Sequence, residues 1–193
     1  MAEKGTGIFC YPIYVYRYFV IILQILIMCV PSVFARTAAV WYASDEMYVT
    51  ARHYIEAERA AGSTICLPDS PLETGKVDVL YVIGHGWREG SSGGVSVYVD
   101  GIERKLPFKV LLNTAQRGGA DCVIVDSCYS GLAVDAATNN GIDISVITGC
   151  ARDELMPVSS EGSLFSVMWS PGEALEDKYS VEGHVIHPKK RLI

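Results

Sequence analysis

The chain has 193 residues, half of them hydrophobic, and a formal net charge of −6. That length holds one globular domain plus an N-terminal segment, and an acidic balance without a long basic run excludes nucleic acid as a partner. Six cysteines with no CxxC pair, and four histidines that do not cluster with them at ligand spacing, give no support to zinc or another metal.

Residues 1–35 carry the parts of a secretory signal. Lys4 and Arg17 precede the short apolar run 19–30, and the small residues Val33 and Ala35 flank Phe34 where a signal peptidase would cut, after Ala35. The expectation is an exported protein, secreted or periplasmic, with residues 36–193 as the mature domain. The alternative is a membrane anchor: residues 8–18 are also apolar and would lengthen the run toward the ~20 residues a bilayer needs, although Arg17 would then be costly in the span. Membrane contact is expected only through this segment, if it stays uncleaved. Met28 before Cys29 is too large for a lipidation site. Cleavage leaves Cys66, Cys122, Cys128 and Cys150, and the spacing of these four is unlike a dense disulfide framework. Cys66, Cys122 and Cys150 lie in apolar, strand-like runs and read as buried free thiols.

Residues 37–43 read as a first strand, with Asp45 placed to cap the amphipathic helix predicted over 46–61 and Gly62 ending it. A short strand over 63–67, a proline-containing loop over 68–75 and a buried strand over 77–83 follow. That strand runs into Gly84-His85-Gly86, a turn that lifts an imidazole from the sheet edge. Residues 89–94 (EGSSGG) suggest a flexible excursion. Two alternating runs, 95–99 and 102–106, meet at Asp100-Gly101, a strong hairpin signal. Pro107 opens a helix over 108–116, Gly118 and Gly119 release the chain, and 122–125 is a short β-branched strand. A small helix over 132–138, a strand over 142–148, a helix or strand start over 162–169 and a last strand over 181–186 complete the order. Such alternation predicts an α/β domain with a largely parallel sheet and a short hairpin insertion, with no internal repeat.

The strand over 122–125 delivers Asp126, Ser127, Cys128, Tyr129, Ser130 and Gly131 to the sheet edge where such folds bind ligands. A cysteine attacks as the thiolate and needs a neighbouring base. If the two buried strands are parallel neighbours, His85 and Cys128 share one edge. The backbone N–H groups of Gly86 and Cys128 are then candidates to receive the oxyanion of an acyl intermediate. A carboxylate at Asp126, two residues before Cys128, lies on the same side of the strand, so it is either the floor of a cleft or a strand-end cap. Were it ionised there, Arg could meet it with a bidentate pair and an apolar residue would leave it unpaired. His53 reads as a solvated or partner-bound helix side chain, and His184 and His187 as edge-strand residues. Trp41, Trp87 and Trp169 read as core or pocket wall.

The pair VIGHG and VIVDSCYSG resembles the cysteine peptidases of caspase-like fold, nearest to the metacaspases and related bacterial caspase-like proteins, whose motif reads Asp-Ser-Cys-His-Ser-Gly. Residues 147–154 (ITGCARDE) and 162–165 (GSLF) resemble the segments that follow the nucleophile in that family. The resemblance implies a three-layer sandwich with a mostly parallel central sheet, His85 as catalytic histidine and Cys128 as nucleophile. It also implies Asp126 in a pocket for a basic side chain, and Asp45 as a second acidic residue of that pocket. Tyr129 replaces the family's histidine at a position that is not catalytic. The expected function is thus an exported cysteine endopeptidase cleaving peptides or proteins after Arg or Lys, with no cofactor; a calcium requirement is not readable. The alternatives are a catalytically silent binding or scaffold module, motivated by the short stretch beyond Trp169, and a self-processing cysteine protease domain.

Overall fold

The apolar run Val79–Ile83 is buried at every residue, as expected of a strand covered on both faces, and it forms the middle of a five-stranded sheet. The computed structural model describes residues 36–169 and 171. In chain order these form β1 (Thr37–Tyr42), a 3₁₀ turn (Asp45–Met47), α1 (Tyr48–Ala60), β2 (Thr64–Cys66), β3 (Val79–Ile83), β4 (Gly86–Glu89), β5 (Ser92–Val99) and β6 (Ile102–Pro107). Then come α2 (Phe108–Arg117), β7 (Cys122–Asp126), α3 (Gly131–Asn139), β8 (Ser145–Thr148), β9 (Val158–Ser159), β10 (Gly162–Ser163) and α4 (Leu164–Met168).

The central sheet has the order β2-β1-β3-β7-β8, and every neighbouring pair is parallel. From β1 the chain steps outward to β2, returns to the other side of β1 for β3, and continues through β7 to β8. The direction of winding therefore reverses between β1 and β3, and the two crossover sets place helices on opposite faces. On one face α1 sets Ala51, Tyr54 and Ile55 against Val40, Tyr81 and Ile124, joined by Phe165 of α4. On the other, α2 (Phe108, Leu111, Leu112) and α3 (Leu132, Ala133) pack on Leu80, Val82, Val123 and Val125. Burial of each of the Val, Leu, Ile and Phe side chains among these contributes about 1.5–3 kcal/mol. The result is an α/β fold with a parallel five-stranded sheet flanked by helices.

The hairpin insertion is present as β5 and β6, turning at Asp100 (φ 53°) and Gly101 (φ 74°), the paired positive dihedrals of a type I′ turn. Two expectations differ from the structure. Residues 89–94 are not an excursion: β4 turns at Gly90 into β5, making a three-stranded antiparallel sheet β4-β5-β6. The helix does not begin at residue 46 under an Asp45 cap; Asp45 heads the 3₁₀ turn, no side chain caps either element, and α1 starts at Tyr48. The strand expected over 181–186, with His184 and His187, lies outside the described residues, as does the segment 1–35.

Candidate active site

A doubly wound sheet opens a crevice at the carboxyl ends of its strands where the winding reverses. Here that point lies between β1 and β3, and a cavity of about 390 Å³ occupies it, lined by residues that follow β1 (Glu46, Met47), β3 (Gly84, His85) and β7 (Ser127, Cys128). The register pairs Ile83 with Asp126, so the two strands end side by side. Gly84 N–H donates to Asp126 O at 3.3 Å, carrying the pairing one residue further. His85 and Cys128 thus reach one cavity, as the strand order requires. His85 is exposed and Cys128 half-buried.

The turn at His85 is held against the end of β7 by close backbone contact. A Cβ on Gly86 would stand 1.8 Å from Cys128 O and 3.0 Å from Cys128 N, so only glycine fits. Ser96 N–H donates to His85 O at 2.8 Å and Gly86 pairs with Val95, which makes this a non-hydrogen-bonded pair and turns the Gly86 N–H away from β5. Beyond Cys128 the chain turns sharply: Tyr129 has φ 58°, rare for a residue with a Cβ, and its N–H is held by Glu154 O at 2.8 Å. A further N–H, from Met156, donates to Cys128 Sγ at 3.4 Å.

All four described cysteines are free. Burial pushes the Cys122 thiol up to about 12, and it also raises Cys150 and the half-buried Cys66, whose side chain was expected to be fully buried. Cys150 Sγ donates to Ser127 O at 3.2 Å, behind the site. Of the four, Cys128 is the cysteine that lines the cavity.

Asp126 forms the cavity floor with only 3% of its surface exposed. Burial pushes its carboxyl up to about 6, and hydrogen bonds from Ser163 and Tyr54 partly offset that rise. Tyr54 OH donates to Oδ2 at 2.6 Å, and Ser163 Oγ donates to the same oxygen. Burial, followed by the neighbouring Asp126 charge, raises the Tyr54 hydroxyl well above its ordinary value, so it stays a donor. Ser163 is fixed in turn: its N–H donates to Thr50 Oγ1 at 3.1 Å, and its Oγ accepts from Ser166 N–H at 3.0 Å as the N-cap of α4. Glu46, one residue past Asp45 in the 3₁₀ turn, lines the cavity; Asp45 is exposed and does not.

Comparison with known proteins finds no match to any family model and none among curated proteins. The chemistry rests on the geometry.

Tyr54, Ser163, Glu46 and Met156 are site residues that the sequence reading did not single out. For Tyr54 a signal existed: at helical spacing between Ala51 and Ile55 its hydroxyl would be buried and need a partner. His53 lies beside the cavity wall, its Nε2 2.6 Å from Glu161 O in the β9–β10 turn. Trp41 and Trp169 are buried, whereas Trp87 is half-buried, outside the cavity lining, with its Nε1–H on Val95 O. Among the described residues no three His, Cys, Asp or Glu side chains group to hold a metal, and no helix is long and apolar enough to cross a membrane.

Proposed function

We propose that residues 36–193 form a cysteine endopeptidase of caspase-like fold that cleaves after Arg or Lys, exported through the segment 1–35 and working without a cofactor. The observation that carries this reading is one cavity holding His85, Cys128 and the buried carboxyl of Asp126 at the ends of adjacent parallel strands. Its volume is in the range that takes a long side chain.

In this mechanism the Cys128 sulfur adds to the scissile carbonyl carbon and the carbonyl π electrons move onto oxygen. The Gly86 and Cys128 N–H groups are the donors assigned to that oxyanion. As the oxyanion collapses the C–N bond breaks, and the His85 imidazolium gives its proton to the departing amine. An acyl thioester on Cys128 remains. His85 then takes a proton from water as it attacks the thioester, and Cys128 leaves as the thiolate. Asp126 meets the positive side chain of the residue before the cleaved bond.

The test is covalent labelling with an acyloxymethyl ketone peptide bearing Arg or Lys at the cleaved position. The expected result is a single adduct at Cys128 that vanishes in His85→Ala. Folded protein that takes no label from either probe overturns the reading in favour of a binding or scaffold module.

A further inference from the structure

The carboxylate of Asp126 is not presented symmetrically to the cavity. Two hydroxyls, Tyr54 OH from α1 and Ser163 Oγ from the start of α4, both donate to Oδ2. An ionised carboxyl oxygen offers about two lone-pair sites, so Oδ2 is filled and Oδ1 is the oxygen left over. The fork-on-fork pair with which Arg outcompetes Lys needs both oxygens. Both donors are themselves locked, Ser163 by Thr50 Oγ1 and Ser166 N–H, and Tyr54 by complete burial among Tyr81, Phe165 and Trp169. They cannot swing aside cheaply.

We propose that Tyr54 and Ser163 are the positioning residues for specificity: by occupying Oδ2 they leave Oδ1 as a single contact, so that the cavity selects positive charge but scarcely distinguishes Lys from Arg. This rests on the reading of the cavity as the site for a basic side chain and adds to it the residues that set its selectivity. The bidentate pair that Arg could make with a free carboxylate is thereby reduced to a single contact, because the carboxylate is already half-satisfied inside the protein.

The groups that titrate around Asp126 are Tyr54 on α1, Tyr81 behind it on β3, and Glu46, His85 and Cys128 on the cavity wall. Burial raises the carboxyl and each hydroxyl lowers it, so loss of either hydroxyl moves its titration to higher pH.

The test reads binding without bond cleavage. Cys128→Ala protein is titrated by NMR with the Nα-acetyl N-methylamides of arginine, lysine and citrulline between pH 5 and 8. Citrulline has the shape of arginine without its charge, so the ratio of affinities cancels titrations that act on both. Expected at pH 8 are Arg and Lys within about threefold of each other and citrulline at least about tenfold weaker. The charged ligands should lose half their advantage near pH 6, where the Asp126 carboxyl titrates. In Tyr54→Phe and in Ser163→Ala the midpoint should move upward, and Ser163→Thr, which keeps the hydroxyl, should restore it. Thermal melts of each variant establish that it is folded. The proposal is overturned by Arg binding more than about thirtyfold tighter than Lys, by a midpoint unmoved in both variants, or by equal binding of all three ligands. A midpoint that survives Asp126→Asn overturns it too, since the limb would then belong to another group. Failure of the peptidase reading shows separately, as an absence of Cys128 labelling in the unmodified protein while these binding ratios hold.

Discussion

Gly86 and Cys128 are in backbone contact: a Cβ at residue 86 would sit 1.8 Å from the carbonyl oxygen of Cys128 and 2.7 Å from its carbonyl carbon. Nothing flexible can yield there, because the obstructing atoms are main chain. Gly86→Ala should therefore push the His85 turn off the β7 end. We expect a stability loss of about 1–3 kcal/mol, in the range of overpacking, and loss of Cys128 labelling with both His85 and Cys128 still in place. Urea unfolding and the labelling rate measure the two effects. Labelling at the unmodified rate in folded Gly86→Ala would show that this contact does not position the pair.

Cys128→Ala should abolish peptidase activity and leave the fold intact, with a stability change within about 1 kcal/mol, since the sulfur is half-buried at the margin of the core and not inside it. Cys122→Ala and Cys150→Ala should behave oppositely. Cys150 Sγ donates within the protein to Ser127 O, so its removal costs about 1–3 kcal/mol while labelling persists. Mass spectrometry of the labelled peptide decides: an adduct on Cys122 or Cys150 would move the nucleophile elsewhere.

What the sequence made legible were features fixed by one strand at a time. Val79–Ile83 and Cys122–Val125 are apolar throughout because helices cover both faces, and the residues following such strands reach the crevice wherever the sheet is parallel, which brought out His85 and Cys128. The glycine-rich start of β5 was illegible for a tertiary reason. A Cβ at Gly93 would meet Leu132 Cδ1 at 2.6 Å and one at Gly94 would meet Leu106 O at 2.0 Å, so these glycines serve close packing inside a strand although they read as a loop. The partners of Asp126 were hidden by distance along the chain, with Tyr54 72 residues and Ser163 37 residues away. Which of two adjacent acids faces the cavity depends on the phase of a 3₁₀ turn. That phase puts Glu46, itself exposed, on the cavity rim and leaves Asp45 outside the lining.

Arg36 should be needed for stability and not for activity. Glu58, with no exposed surface, accepts hydrogen bonds from Arg36, from Tyr81 OH and from Ser63 Oγ, and the Arg36 Nε to Glu58 Oε2 distance is 3.0 Å. Removing the cation leaves a buried charge with two hydroxyls only. Arg36→Ala should cost about 3–5 kcal/mol, whereas Arg36→Ala combined with Glu58→Gln, which removes the charge as well, should recover part of the loss. None of the four residues lines the cavity, so the labelling rate of the folded fraction should be unchanged. A cost below about 1 kcal/mol in urea unfolding would mean that the hydroxyls alone carry Glu58.

Asp126 should make the unmodified protein less stable at neutral pH than its amide variant. Its carboxyl is raised to about 6 in the folded state by burial, against an ordinary value near 4 in the unfolded chain. Between about pH 4 and 6 the folded state holds the proton that the unfolded state has released, so stability falls as pH rises through that window and is level above it. The difference between those two values corresponds to about 3 kcal/mol at pH 8. Asp126→Asn keeps an acceptor for Tyr54 and Ser163 and has no charge to bury, so it should gain up to about 3 kcal/mol at pH 8 and nothing below pH 4. The gain comes at the site's expense: the same variant should lose its preference for Arg and Lys probes over the citrulline probe. Unfolding curves at pH 4, 6 and 8 for the two proteins test the pair of effects. Equal stability of the two at every pH would mean that Asp126 is not an ionised group held in the cavity floor.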